Sequence, residues 1–286
     1  MTAADLASQA RVRVTTRALR RLFSVRPAGL LTDVDGTISR ITQRTGDATV
    51  LPTARRSLTR LAGHLELVGV ITGRAVPRAQ HMVGVDGITY VGNHGLEWLH
   101  EGTVQTDPAA VAARPALQAA MDAIRHAVSD PGLTYEDKGV SVAVHYRQAA
   151  DPEQAGRLVL AALEPHLHGG QIRLIQGGLV VNLLPNLAID KGEAARRLVA
   201  QHGLQSVAFF GDDVTDLDAF RAIHALQADS AVQALAIGVT SLEGPPQIRA
   251  EADLLLDGVG EVERVLAALA RRPPSSQASN GSSQDA

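Results

Sequence analysis

The sequence contains no cysteine. That excludes a disulfide framework, a thiolate zinc site and a cysteine nucleophile, and it leaves the redox compartment open. Aromatic residues make up 3%, so a core has to be built from Ala, Val, Leu and Ile, a composition that suits parallel strands covered by helices. No uninterrupted apolar stretch approaches the roughly 20 residues that span a bilayer, and the N-terminus lacks the apolar segment of a signal peptide. A soluble, cytoplasmic protein with no membrane partner is therefore expected. Positive charge is not in surplus either: 27 basic residues face 30 acidic ones, a formal net charge of −3. With no extended basic stripe beyond the N-terminus, nucleic acid is not an expected partner.

Apolar residues amount to 45% of the 286 positions, enough for one large or two moderate domains at roughly 150 residues each. Residues 1–26 hold Arg11, Arg13, Arg17, Arg20, Arg21 and Arg26 with no acid after Asp5; this reads as a solvated amphipathic helix with Val12, Leu19, Leu22 and Phe23 partly packed. Apolar runs at 28–31, 65–71 and 87–91 alternate with helical stretches at 53–61 and 76–82, the pattern of a right-handed parallel βαβ sheet. From about Asp107 the order becomes helix, strand, strand, twice over: a helix at 111–128, strands at 133–137 and 140–146, a helix at 152–167, and strands at 171–175 and 179–184. Two such units make a small four-stranded antiparallel sheet with both helices on one face, an α+β domain inserted into the α/β one. The first pattern resumes with a helix from Asp190 to about Gln201, strands at 206–210, 235–239 and 253–256, and a helix at 259–270. The expected division is a core of 27–106 and 187–271, an inserted α+β domain of 107–186, and a disordered tail of 272–286 rich in Pro, Ser, Gln, Asn and Gly.

The polar residues cluster where this pattern ends its strands. Asp33 and Asp35 follow the run 28–31 and are succeeded by Gly36 and Thr37. Ligands bind past the carboxyl ends of strands in open α/β sheets. One carboxylate there can attack while the other accepts a proton or shares a cation. Thr72, Gly73 and Arg74 follow the second strand, and Asp212, Asp213 and Asp216 follow the strand at 206–210. Lys191 opens a helix, an unfavourable place for an unpaired cation because the helix N-terminus is itself positive. Its position makes sense if it reaches an anion held near the carboxylates. Five acids near one another need Mg²⁺ and a lysine to balance them, and Thr72 with backbone N–H groups can bind phosphate oxygens. Such an assembly suits phosphoryl transfer to a carboxylate.

The segments DVDGT (33–37, with Thr32 before it), ITGR (71–74), DKG (190–192) and GDDVTD (211–216) resemble, in order, the four motifs of the haloacid dehalogenase superfamily of phosphatases. The resemblance implies a Rossmann-like parallel-sheet core with an inserted α+β cap. It implies Asp33 as a nucleophile that becomes an aspartyl-phosphate, and Asp35 as the acid that protonates the leaving alcohol and then activates water. Thr72 and Lys191 would hold phosphate. Asp33, the backbone carbonyl of Asp35, and Asp212 would bind Mg²⁺, with Asp213 or Asp216 acting directly or through water. Within the superfamily, GNHGLE (92–97), EDKGVS (136–141) and GDDVTDLDAF (211–220) resemble segments of the trehalose-6-phosphate phosphatases. That likeness implies Gly73, Arg74, Asn93, Glu136, Lys138 and Ser141 as substrate-binding residues, trehalose 6-phosphate as substrate and a trehalose-phosphate synthase as a candidate partner. His94, His145 and Tyr146 receive no catalytic role. One departure stands out: Asn182-Leu183-Leu184-Pro185 occupies a place where the family's pattern has an acid and a base resembling E-(I/L)-R-P. A phosphatase of another sugar phosphate (sucrose phosphate, or glucosyl- or mannosyl-3-phosphoglycerate) and a noncatalytic sugar-phosphate sensor are the alternatives.

Overall fold

Strand β1 (Ala28–Thr32) is buried at every position, as is β2 (Leu67–Ile71). Strands with both faces covered read as continuous apolar runs rather than alternating ones, and here β1 lies between β2 and β10 (Ser206–Gly211), parallel to both. The structure, a computed structural model, describes residues 2–42, 48–177, 179–229, 232–242 and 244–271. Its main sheet has eight strands in the order β12-β11-β10-β1-β2-β3-β4-β5. Strands β3 (Thr89–Gly92), β11 (Gln233–Thr240) and β12 (Leu254–Asp257) continue the parallel pairing. On one face Leu30, Val68, Val70, Phe210 and Ile237 pack against α1 (Ala3–Leu22), α2 (Pro52–Ala62), α3 (Val76–Val83) and α10 (Val259–Arg271). On the other, Leu31, Ile71, Val207, Phe209 and Ala236 pack against α7 (Lys191–Gln201), α8 (Asp216–Ala228) and α9 (Pro246–Glu251). Alternate residues of each strand thus serve opposite layers, giving a three-layer α/β core.

A second sheet is antiparallel, in the order β6-β7-β9-β8, from β6 (Thr134–Asp137), β7 (Val142–His145), β8 (Ile172–Gly177) and β9 (Val180–Pro185). Leu117, Met121 and Ile124 of α5 (Arg114–Ala127) and Val159 and Leu163 of α6 (Pro152–His168) cover one face, packing on Val142, Val144, Val181 and Leu183. Period-two alternation leaves the opposite face with the cross-strand row Glu136, Ala143, Asn182 and Ile175, and beside it the pair Arg173 and Leu184. Leu184 packs with Leu96 of the main sheet's side and with Ala110 and Val140, an apolar seam between the two sheets.

Three local features differ from the sequence-based expectation. The segment after β3 adds an antiparallel hairpin, β4 (Glu97–His100) and β5 (Thr103–Thr106), to the main sheet. Its two-residue turn is Glu101-Gly102, both with positive φ (49° and 77°), a primed geometry usually announced by Asn-Gly or Asp-Gly. The helix expected over 111–128 is divided into α4 (Pro108–Ala112) and α5, because Pro115 stands at the start of a new helix and has no N–H to continue the old one. The arginine-rich helix α1 is built into the core rather than laid on it: Leu19 and Phe23 are fully buried. The tail 272–286 lies outside the described residues. Among those described, no helix is long and apolar enough to cross a membrane.

Because Leu19 is enclosed by the α1–α10 layer, Leu19→Ala should destabilise the protein by about 3 kcal/mol, read as a lower urea midpoint. An unchanged midpoint would mean that α1 detaches without disturbing the core.

Candidate active site

The site begins where β1 stops. Asp33 still joins the sheet, its N–H donating to Phe210 O at 2.9 Å, while its carboxylate points past the strand end into a buried polar cluster. Lys191 reaches the same place from the first turn of α7, which Asp190 caps by accepting from Glu193 N at 2.7 Å. The Lys191 Nζ donates to Asp33 Oδ1 at 2.9 Å and to Asp216 Oδ1 at 2.7 Å. All three side chains are buried, Asp216 completely. Asp216 opens α8 and folds back over its own turn, its Oδ2 accepting the N–H groups of Asp212 and Asp213. Thr37 Oγ1 donates to Asp212 Oδ1 at 2.8 Å. Gly36 makes this approach feasible: its φ is +80°, and a Cβ there would lie 1.9 Å from Asp212 Oδ2.

Carboxylate oxygens of Asp33, Asp212 and Asp216 lie within 4.8 Å of one another. Burial pushes the Asp33 carboxyl up to about 7, against the pull of Lys191 and with help from Asp216 and Asp35. Asp212 is likewise raised well above the usual carboxylate range by burial and by Asp216 and Asp33. Burial alone would discharge Lys191, but Asp216 and Asp33 hold it charged. Three buried carboxylates against one ammonium leave negative charge uncompensated, and protons or a cation have to make up the difference.

A second group of residues lines the side facing the four-stranded sheet. Arg74 grips Asp35 bidentately, Nε to Oδ2 and Nη2 to Oδ1, both at 2.6 Å. Thr72 is buried, and its carbonyl accepts the N–H of His94 at 3.0 Å. The Asn93-His94 step has two consecutive positive φ values, 48° and 58°. The His94 ring then lies so near Gly73 that a Cβ there would meet it at 2.6 Å. Burial, with Lys191, Lys138 and Arg173 around it, keeps His94 neutral far below its usual range. From the four-stranded sheet's side, Lys138 Nζ donates to Gly73 O at 3.1 Å and to Asn182 Oδ1 at 3.4 Å. Ser141 Oγ donates to Asn93 Oδ1 at 2.6 Å, and Asn93 Nδ2 donates to Lys138 O at 3.1 Å. Glu136 faces His145 Nε2 at 3.5 Å, and this contact, with the Lys138 charge, draws its carboxyl down to about 2 despite burial.

All thirteen residues singled out from the sequence therefore fall in one region, but not all in one cluster. Asp213 stands apart from the Asp33, Asp212 and Asp216 group. The turn that sends its N–H to Asp216 faces its carboxylate toward the β8–β9 turn, where a Cβ on Gly177 would be 3.6 Å away. The Asp35 side chain is turned to Arg74. Three residues had no assigned part in the sequence reading. Thr37 holds Asp212. Glu97 is buried and accepts Val76 N at 2.9 Å, capping the start of α3. Arg173 donates from Nη2 to Ile189 O at 2.8 Å, next to the start of α7. Thr37 and Glu97 were visible as members of the segments DVDGT and GNHGLE; Arg173 carries no motif and is found only through its register with Leu184.

The trehalose-phosphatase family model matches residues 31–258. A trehalose-phosphate phosphatase of Mycobacterium marinum is 35% identical over 205 residues, which are 69% of this chain and 52% of that protein. An uncharacterized glycosyl hydrolase of Mycobacterium tuberculosis is 35% identical over 215 residues, 72% of this chain and 16% of that protein. The chain thus spans about half the length of the one relative and a smaller share of the other. Among solved structures, the C-terminal domain of the Candida albicans trehalose-6-phosphate phosphatase superposes with a TM-score of 0.78 at 19% identity, covering 90% of this chain and 96% of that one. That likeness speaks for the fold, a parallel-sheet α/β core, and the match along 31–258 takes in the clusters at Asp33, Thr72, Lys191 and Asp212. The chain belongs to the trehalose-phosphatase family.

Proposed function

We propose that the protein hydrolyses trehalose 6-phosphate to trehalose and phosphate through an aspartyl-phosphate on Asp33. The observation that carries this reading is the placement of Asp33 and Asp216 on Lys191, with Asp212 beside them, at the carboxyl ends of β1 and β10. An Asp33 oxygen attacks phosphorus and the bond to the sugar oxygen breaks. Asp35 gives that oxygen its proton, so that the sugar leaves as an alcohol. Asp35 then takes a proton from water as the water attacks phosphorus, which releases inorganic phosphate and restores the Asp33 carboxylate. Lys191 and Thr72 hold phosphoryl oxygens. Arg74 engages both Asp35 oxygens, so at least one of these two bonds has to loosen for Asp35 to reach the sugar oxygen.

The donor set fits Mg²⁺: hard carboxylate oxygens of Asp33, Asp212 and Asp216, with the Asp35 carbonyl at the same turn and more negative charge than Lys191 can offset. Bound there, the cation would supply neutralisation of the charge that builds on the phosphoryl oxygens. Asp213 acts through water in this reading.

The face of the second sheet that carries Glu136, Asn182 and Arg173, with Lys138 at the hairpin tip, reads the sugar. Residues 107–186 serve as a cap and 27–106 with 187–271 as the catalytic core. Asn182 keeps an acceptor for Lys138 without the family's negative charge. Arg173, directly across from Leu184, places a cation on the same face where Leu184 has none. A trehalose-phosphate synthase supplying the substrate, and a cytoplasmic location, belong to the same proposal.

Three measurements test it. Phosphate release should be far faster from trehalose 6-phosphate than from sucrose 6-phosphate, glucose 6-phosphate or either phosphoglycerate, should vanish in EDTA, and should fall roughly 10⁴-fold or more in Asp33→Asn. Preference for another ester would keep the chemistry and reassign the cap; no metal-dependent release from any ester would favour a sensor. Arg173→Met should raise KM for trehalose 6-phosphate about tenfold with kcat little changed, a loss of roughly 1.4 kcal/mol of binding; unchanged kinetics would remove Arg173 from the site.

The third follows from Asp33, whose folded value near 7 stands above the ordinary 3.8. A raised carboxyl contributes stability that is fully present below pH 4 and is lost as pH rises through 7. In EDTA, the stability of the wild type relative to Asp33→Asn should therefore decline between pH 4 and 7, at about 1 kcal/mol per pH unit. Mg²⁺ added at pH 7 should raise the melting temperature and release protons into a weakly buffered solution. A flat difference and no proton release would refute the charge imbalance.

A further inference from the structure

The arginines of α1 are left unexplained by the phosphatase reading. Arg11 is accounted for: its Nε and Nη2 donate to the two oxygens of Glu261 at 3.0 and 2.6 Å, and Glu261 also accepts from Ser8 Oγ and Asp257 N. That carboxylate is buried and fully engaged. The arginines on the adjoining stripe have no such partner. Arg13 and Arg17 are exposed, and among the described residues neither makes a hydrogen bond or ion pair. Arg20 donates from Nη2 to Ala268 O at 2.8 Å, but its Nε is buried with no hydrogen-bond partner. Arg264, from α10, donates to Ser8 Oγ at 2.7 Å and lies 3.9 Å from Glu261.

These four guanidiniums surround one cleft between α1 and α10. Its volume is about 430 Å³, its floor includes Val12 and Ala268, and no carboxylate lines it. Arg13, Arg17 and Arg20 follow at spacings of four and three residues, so they repeat on one helix face at intervals of about 5 to 6 Å. Like charges at that spacing repel, in a chain whose net charge is −3. A ligand that brings several negative charges at short intervals relieves the repulsion and gives each planar fork an anion to bind. The volume falls within the range of small-molecule sites, and linked phosphates supply the charge spacing.

We propose that this cleft binds a small molecule carrying a chain of two or more phosphate groups, at a place separate from the carboxylate cluster. The inference does not rest on the phosphatase reading.

Inorganic tripolyphosphate, titrated calorimetrically into the full chain in EDTA and 0.15 M salt, tests it. EDTA keeps the reaction centre rich in carboxylates and unattractive to the probe, and the salt screens weak surface attraction. One site is expected, weakened at least tenfold in the double variant Arg13→Gln/Arg17→Gln. The same loss of charge at Arg60→Gln/Arg157→Gln, two exposed positions elsewhere, should leave binding unchanged. Both variants should keep the wild-type melting temperature and basal phosphate release. Equal binding by wild type and Arg13→Gln/Arg17→Gln, or equal losses in the two double variants, would overturn the proposal. So would a deca-glutamate peptide that binds at these arginines more tightly than tripolyphosphate, which would assign the cleft to an acidic polypeptide.

Discussion

The site depends on one buried ammonium. Lys191 joins the end of β1, through Asp33, to the start of α8, through Asp216. It therefore fixes the spacing of elements that come from distant parts of the chain. A buried ion pair is a poor source of net stability, since desolvation consumes most of the Coulomb gain, but removing one partner leaves a bare charge that costs about 3 to 5 kcal/mol. Here the imbalance is larger, because Asp212 adds a third carboxylate. The chain contains only two lysines, Lys138 and Lys191, and both lie at the site. Every other fixed cation is arginine, a planar fork where lysine offers a compact ammonium with three donors.

Asp35 shows the complementary device. Two residues after Asp33, it is turned out of the carboxylate cluster and into the Arg74 clamp. Neighbouring acids are thus given different environments: one desolvated among like charges, the other half-exposed and gripped by a cation. One turn of chain thus presents two carboxylates that differ in exposure and in the cation that holds them.

Much of this arrangement was legible in the sequence, for physical reasons. Parallel strands must be apolar throughout and their carboxyl ends lie on one edge, so polar residues directly after 28–31 and 206–210 had to converge. A lysine at a helix start needed an anion, and Asp33 and Asp216 supply it. What was hidden depended on geometry that spacing does not carry. Asp212, Asp213 and Asp216 are equivalent as letters; the turn into α8 sends two backbone N–H groups to Asp216 and leaves Asp213 outside. The β4–β5 hairpin was missed because Glu101-Gly102 is a weak turn signal, and with it the reason for Glu97, which caps α3 from a neighbouring strand. Arg173 is ordinary in sequence. Only the pairing of β8 with β9 sets it across from Leu184.

The polar groups of the β6–β7 hairpin are engaged with the loops that follow β2 and β3. Ser141 bonds Asn93, Asn93 bonds the Lys138 carbonyl, and Lys138 bonds Gly73 and Asn182. A ligand entering this seam has to replace those bonds one for one, since a buried donor left unpaired costs about 1 to 3 kcal/mol. A sugar with many hydroxyls can make the exchange. A plain alkyl chain cannot, because it has no hydrogen-bonding groups to offer. On a surface of this kind, a ligand that fails to return those hydrogen bonds is disfavoured by the groups it leaves unpaired.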